Sequence, residues 1–137
     1  MIVSSVKLKI DGVEVSVPEG TTILKAAKDN GIIIPTLCNL EGLTAYGGCR
    51  LCLVEISGSP KLFPACTTPV GPGMEVTTSS DRLKDHRKMV VQMLLAERTH
   101  ICSVCVANDP VNCKRWQTSW ALTMSCLNET GAMIKLI

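Results

Sequence analysis

A chain of 137 residues, 46% hydrophobic and with a net charge of +2, can bury one modest core and append a small second unit. Its charge is small and scattered, which excludes a nucleic-acid footprint, and no stretch approaches the roughly 20 apolar residues of a membrane span. The amino terminus, MIVSSVKLKIDG, has neither a basic region nor a long apolar run, so the eight cysteines point to a reducing, cytoplasmic setting and to metal ligation over a disulfide framework.

The first predicted element is a hairpin. Val6, Leu8 and Ile10 alternate with Lys7 and Lys9, Asp11-Gly12 supplies a two-residue turn of the primed type, and Val13, Val15 and Val17 resume the alternation. After Pro18-Glu19-Gly20, TTILKAAKDNG reads as one short helix with Thr21 or Thr22 as N-cap, Ile23, Leu24 and Ala27 on one face, and Gly31 just past its end. The run Ile32-Ile33-Ile34, stopped by Pro35, delivers the chain to Cys38.

Cys38, Cys49, Cys52 and Cys66 follow the spacing C-x10-C-x2-C-x13-C. A long loop, a tight pair and a distant fourth cysteine bring thiolates from different directions, as a cluster of two irons and two sulfides requires. The C-x2-C pair, Cys49 and Cys52, is expected to share one iron's neighbourhood. Gly47 and Gly48 let backbone N–H groups approach the anionic sulfurs, and Arg50 adds a positive charge. The competing reading is a structural zinc site or a group of redox-labile thiols. Against zinc stands the distance between the two C-x2-C pairs, Cys49/Cys52 and Cys102/Cys105, whose 49 intervening residues exceed a zinc-ribbon linker.

LCLVEI then reads as a strand starting at the ligand pair, Ser57-Gly58-Ser59-Pro60 as a turn, and KLFPAC as a short return strand ending at Cys66. MEVTT at 74–78 is a last strand, and Ser79-Ser80-Asp81 opens a helix to about Glu97. Leu83, Val90 and Leu94 fall on one stripe of that helix, with Arg82, Lys84, Arg87 and Lys88 elsewhere and His86 solvated. It reads as an arm leading to a second set, His100, Cys102 and Cys105 followed by Cys113. Three cysteines and an imidazole suit a four-iron cubane or a small zinc site, and the spacing leaves both open.

The stretches IPTLC (34–38), YGGCRLCLVEI (46–56), PAC (64–66) and AERTHICSVCVAN (96–108) carry a family resemblance. Residues 1–108 resemble the amino-terminal part of the small iron-sulfur subunit of the diaphorase module in bidirectional, NAD-reducing hydrogenases. They are also similar to the start of the large iron-sulfur subunit of respiratory NADH dehydrogenase and of NADP-reducing iron hydrogenases. The resemblance implies an α+β architecture: a β-grasp, ferredoxin-like domain over 1–79, then a helical arm and a His-Cys domain over 80–119. Cys38, Cys49, Cys52 and Cys66 would hold a 2Fe-2S cluster in the first, and His100, Cys102, Cys105 and Cys113 a 4Fe-4S cluster in the second. It also implies a component of an NAD(H)-dependent oxidoreductase complex with no substrate chemistry of its own. Single electrons from NADH, oxidised at a flavin on a diaphorase subunit, would pass through these centres toward hydrogenase subunits.

Past Asn108 the chain departs from that pattern. The related sequences continue C-x5-C, then Glu-Leu-Gln and a helix, whereas CVANDPVNCKRWQ spaces its cysteines C-x7-C. Residues 120–137 form an atypical tail with an isolated Cys126. An out-of-frame or truncated product is the expectation here, through loss of one nucleotide near Asp109. Tryptophan has a single codon, so the shift forces alanine from Trp116-Gln117 and glycine from Trp120-Ala121, where the related chains carry them. Such a product would keep only the 2Fe-2S site, and a zinc-binding interaction module is the other alternative.

Overall fold

The computed structural model describes residues 5–40 and 42–96. The expectations placed on His100, Cys102, Cys105 and Cys113, and on the tail, lie outside the described residues. The chain divides into two units, Met1–Asp85 and His86–Ile137.

The alternation at the start forms the expected hairpin. β1 (Ser5–Ile10) and β2 (Val13–Pro18) pair antiparallel in register from Ser5↔Pro18 to Ile10↔Val13. Asp11 and Gly12 both have left-handed backbone, at φ 49° and 83°, which is the type I′ geometry that matches strand twist. Aspartate tolerates that conformation, and its carboxylate is put to use. Oδ1 accepts the Thr78 N–H at 2.8 Å and Oδ2 the Thr78 hydroxyl at 2.5 Å, which latches the hairpin turn to a segment 67 residues away.

α1 (Ile23–Asp29) is capped by Thr22, whose Oγ1 accepts the Lys25 N–H at 3.3 Å. Its buried face is Ile23, Ala26 and Ala27, with Leu24 only partly buried. β3 (Leu53–Ile56) and β4 (Leu62–Pro64) make a second antiparallel pair. β5 (Glu75–Thr77) joins the two hairpins, parallel to β1 through Lys9↔Glu75 and Ile10↔Val76 and antiparallel to β3. The sheet order is β2-β1-β5-β3-β4. One face of this sheet buries Leu8, Ile10, Val15, Val17, Val54 and Val76 in a single cluster with the apolar face of α1. Each fully buried aliphatic side chain there contributes roughly 1.5–3 kcal/mol relative to exposure. A mixed α+β domain results, as the sequence predicts.

α2 (Asp81–Ala96) starts at Ser80, whose Oγ accepts the Leu83 N–H at 3.2 Å. Its amino-terminal turn is tied to β3 and the following turn by Arg82, which donates to the Pro60 carbonyl at 2.9 Å and stands 3.6 Å from the Glu55 carboxylate. The buried row differs from the predicted stripe. Leu83, Arg87 and Val91 are buried, Val90 is partly buried and Leu94 is exposed. The row therefore advances by i, i+4, i+8 and leans around the helix instead of running along it. Arginine suits such a row because its long stem can cover apolar surface.

Candidate metal centre

Between α1 and β3 the described residues contain no helix or strand, and this stretch carries three of the four cysteines of the first half. It leaves α1 through the Ile32 N–H, which reaches back to the Ala27 carbonyl at 2.9 Å, and is pinned by buried Ile34 and Pro35 just before Cys38. Ile33, the middle of the predicted apolar run, is exposed.

Cys66 is placed by a turn, not by the return strand. β4 stops at Pro64, whose carbonyl accepts the N–H groups of Thr67 and Thr68, both at 3.1 Å, and the Thr68 hydroxyl at 2.8 Å. Proline offers no N–H to extend the ladder, so the chain turns there. The turn then satisfies the open amino terminus of α1: Ile23 N–H donates to the Thr68 carbonyl at 3.0 Å and Leu24 N–H to the Ala65 carbonyl at 2.9 Å. The strand predicted from Leu51 likewise begins only at Leu53, because Leu51 and Cys52 lie in a turn. Ala65 N–H donates to the Cys52 carbonyl at 3.0 Å, which sets the Cys52 and Cys66 segments side by side.

The four thiols lie as two pairs. Cys38 Sγ accepts the Cys49 N–H at 3.4 Å, and both residues are half-buried. Cys52 and Cys66 are 1% and 2% exposed, on segments that the Ala65 to Cys52 hydrogen bond holds side by side. Cys49 thus lies beside Cys38, and Cys52 beside the Cys66 segment. The C-x2-C spacing turns the chain so that its two cysteines face different neighbours. None of the four is in a disulfide. Among the described residues no three His, Cys, Asp or Glu side chains are grouped as a single metal ion would need. Four sulfurs in two pairs, delivered from three segments, fit a binuclear cluster, where each iron takes two thiolates.

The two pairs differ in electrostatics. Burial pushes the Cys66 thiol up to about 12, with the hydrogen bond its S–H donates to Cys52 and the nearness of Cys52, Cys38 and Cys49 adding to it. Burial also acts to raise Cys49. There it is outweighed by hydrogen bonds to the sulfur from the backbone at Leu51, Leu37 and Cys38, with a smaller one from the Cys38 side chain, so the thiol lies below the ordinary range. Backbone dipoles that favour a thiolate on Cys49 are the kind of environment an anionic cluster needs.

The paired glycines prove to do different things. Gly47 is buried with φ 68°, and a β-carbon there would come within 3.2 Å of Thr67 Cγ2 and 4.0 Å of Cys66 Sγ. It is where the cysteine loop closes on the Cys66 turn. Gly48 instead faces outward, under the ring of Tyr46. Arg50 is exposed, and its backbone is also left-handed, at φ 56°. Sequence reasoning missed Thr67 as the neighbour of Gly47 and missed the conformation of Arg50. A glycine pair before C-x2-C could have suggested a close approach, but nothing in the residue type of Arg50 gives its backbone away.

Residues 4–81 match the family model for a 2Fe-2S iron-sulfur cluster binding domain. The chain is 44% identical over 102 residues to the NADPH-Fe(3+) oxidoreductase subunit alpha of Geobacter sulfurreducens, a match covering 74% of this chain and 12% of that protein. It is 46% identical over 107 residues to the NADP-reducing hydrogenase subunit HndD of Solidesulfovibrio fructosivorans, covering 74% of this chain and 18% of that one. The chain thus spans less than a fifth of the length of these relatives. Among solved structures, it superposes on the NAD+-reducing [NiFe]-hydrogenase in the H2-reduced state with a TM-score of 0.82 and 28% identity, over 96% of this chain and 56% of that one. No helix among the described residues is long and apolar enough to cross a membrane.

Proposed function

The chain belongs to the family of 2Fe-2S iron-sulfur cluster binding domains, and from that premise we propose that it is an electron-transfer subunit. It would pass single electrons between a flavin-bearing, NADH-oxidising diaphorase subunit and hydrogenase subunits or a related acceptor. Cys38 and Cys49 would hold one iron, and Cys52 and Cys66 the other. The observation that carries this reading is the gathering of those four thiols as two pairs inside the matched segment. The relatives' names, which describe subunits of NAD(P)-linked oxidoreductases and hydrogenases, support the place in a complex.

When bound, the cluster supplies a one-electron carrier that needs no bond making in the protein. The chain's own residues set its surroundings. Burial around Cys52 and Cys66 disfavours added negative charge, whereas the backbone N–H groups directed at Cys49 favour it. The same proposal assigns 80–119 to a second domain in which His100, Cys102, Cys105 and Cys113 hold a 4Fe-4S cluster.

Iron and acid-labile sulfide analysis with EPR of the reduced protein tests both parts. About six irons per chain is expected if both clusters assemble and about two if only the first does. A colourless, EPR-silent protein after reconstitution with iron and sulfide would refute the reading. Serine at any one of Cys38, Cys49, Cys52 or Cys66 is expected to abolish the 2Fe-2S signal.

A further inference from the structure

Among the described residues, Asp11 and Arg50 alone have left-handed backbone without being glycine. The two differ in what explains it. Asp11 sits in a two-residue hairpin turn that demands the conformation, and its carboxylate accepts the Thr78 N–H. Arg50 is in no hairpin. It lies inside the C-x2-C pair at φ 56°, and it is exposed, so packing of its side chain does not hold it there. A β-carbon in that region costs a factor of roughly 5–30 in the folded-to-unfolded ratio. Such a residue persists where its surroundings impose the conformation, and here the surroundings are two cysteines of the thiol set.

We propose that Arg50 is a positioning residue of the cluster site and acts through its backbone: its left-handed turn keeps Cys49 on the Cys38 side of the thiol set while sending Leu51 and Cys52 into the protein. The proposal rests on the reading of the four cysteines as cluster ligands. Cys49 is half-buried, and its N–H donates to Cys38 Sγ at 3.4 Å. Leu51 is fully buried, and Cys52, 1% exposed, lies beside the Cys66 segment. The chain must therefore change direction between residues 49 and 51, and Arg50 is the residue between them. Extended backbone there would put residues 49 and 51 on one face. A right-handed residue would open a helical turn and delay β3, which begins at Leu53. A left-handed residue reverses the chain in one step. Turns of this kind also bring successive N–H groups to one side, an arrangement that favours anionic sulfur, and the backbone at Leu51 is among the groups bonded to the Cys49 sulfur. Gly47, at φ 68°, brackets Cys49 from the other side. Glycine takes that conformation freely, whereas arginine does not, so the cost falls at position 50.

The test replaces Arg50 in the full, iron-loaded chain and follows two readouts, the rate of iron release to a chelator and the EPR g values after dithionite reduction. Arg50→Gly and Arg50→Asn lose the charge but take up the left-handed turn readily. Both are expected to keep the wild-type g values and to release iron no more than about threefold faster than the wild type. Arg50→Val loses the same charge, but a β-branched side chain resists that conformation. It is expected to release iron about fivefold faster or more and to shift the g values. Because the charge is absent from all three variants, a difference between Arg50→Val and the other two reports the backbone. A merely structural role would lower the fraction of Arg50→Val that loads and leave the g values of the loaded fraction unchanged, and that result would overturn the proposal. So would three variants that behave alike. Where Arg50→Val loads no iron, Arg50→Gly and Arg50→Asn decide: wild-type g values with release inside the threefold limit uphold the proposal, and altered g values or faster release overturn it. A wild-type chain that stays colourless and EPR-silent after reconstitution with iron and sulfide would refute the cluster reading instead.

Discussion

Replacing Gly47 with alanine probes the contact on which the thiol set closes. Two penalties are expected. Alanine in a left-handed conformation costs about 1–2 kcal/mol, and φ at Gly47 is 68°. The new methyl would also stand 3.2 Å from Thr67 Cγ2, and Thr67 follows directly on Cys66, so the turn must yield by a few tenths of an ångström. Misfit of that kind in a packed site adds on the order of 1 kcal/mol or more. A total of about 2–3 kcal/mol is expected, read as a lowered urea midpoint of the apo chain with an unchanged slope. Gly58→Ala is the control: its φ is 83° but a β-carbon there meets nothing within 4 Å, so only the conformational penalty of about 1–2 kcal/mol applies. Thr67→Ser, which removes Cγ2 and keeps the hydroxyl, is expected to recover about 1 kcal/mol in the Gly47→Ala background and little in the Gly58→Ala background. Equal losses at Gly47 and Gly58, with no recovery by Thr67→Ser, would refute the contact argument.

Other perturbations separate the remaining parts of the frame. In the apo chain Cys66 is raised to about 12, so above the ordinary thiol value of 9.0 the unfolded chain ionises while the folded one keeps its proton. Stability is therefore expected to fall as pH rises from about 9 toward 12, whereas the lowered Cys49 makes it rise with pH up to about 9. Urea midpoints across that interval check both signs. Under limited alkylation of the same apo chain, mass spectrometry is expected to find Cys49 modified first and Cys66 last. Asp11→Ala removes both hydrogen bonds to Thr78 and puts alanine at a positive φ, for a loss of roughly 2–4 kcal/mol, while Asp11→Asn is expected to lose less because it keeps an acceptor and tolerates the turn. Thr22→Ala should cost about 1 kcal/mol in the melting curve and also hasten iron loss to a chelator, because the capped end of α1 holds the Cys66 turn.

How much the sequence shows depends on whether a feature is local. The first hairpin is legible down to its turn because Asp11-Gly12 and the flanking alternation act within a few residues. The end of α1 and its Thr22 cap are legible for the same reason. The parallel pairing of β1 with β5 is not, since a three-residue strand carries no periodic signal and its partner is more than 60 residues away. At the site, the four cysteines stand out by spacing, but their pairing does not follow from it. That is settled by the Ala65 to Cys52 hydrogen bond and the turn at Pro64, both products of tertiary packing. Arg87 illustrates a different limit. The stripe read from the sequence left it off the apolar face, and it is buried in the row with Leu83 and Val91.

β5 is only three residues long, yet it stitches both hairpins into one sheet and is the last strand of the described residues to be synthesised. All four thiols of the first half therefore leave the ribosome before the scaffold that arrays them is complete. Iron delivery should accordingly wait for that final seam. A nascent chain stalled just short of Glu75 is expected to take up no iron under conditions that load a chain released beyond Ala96, and equal uptake by the two would show that the cysteine loop assembles without the closed sheet.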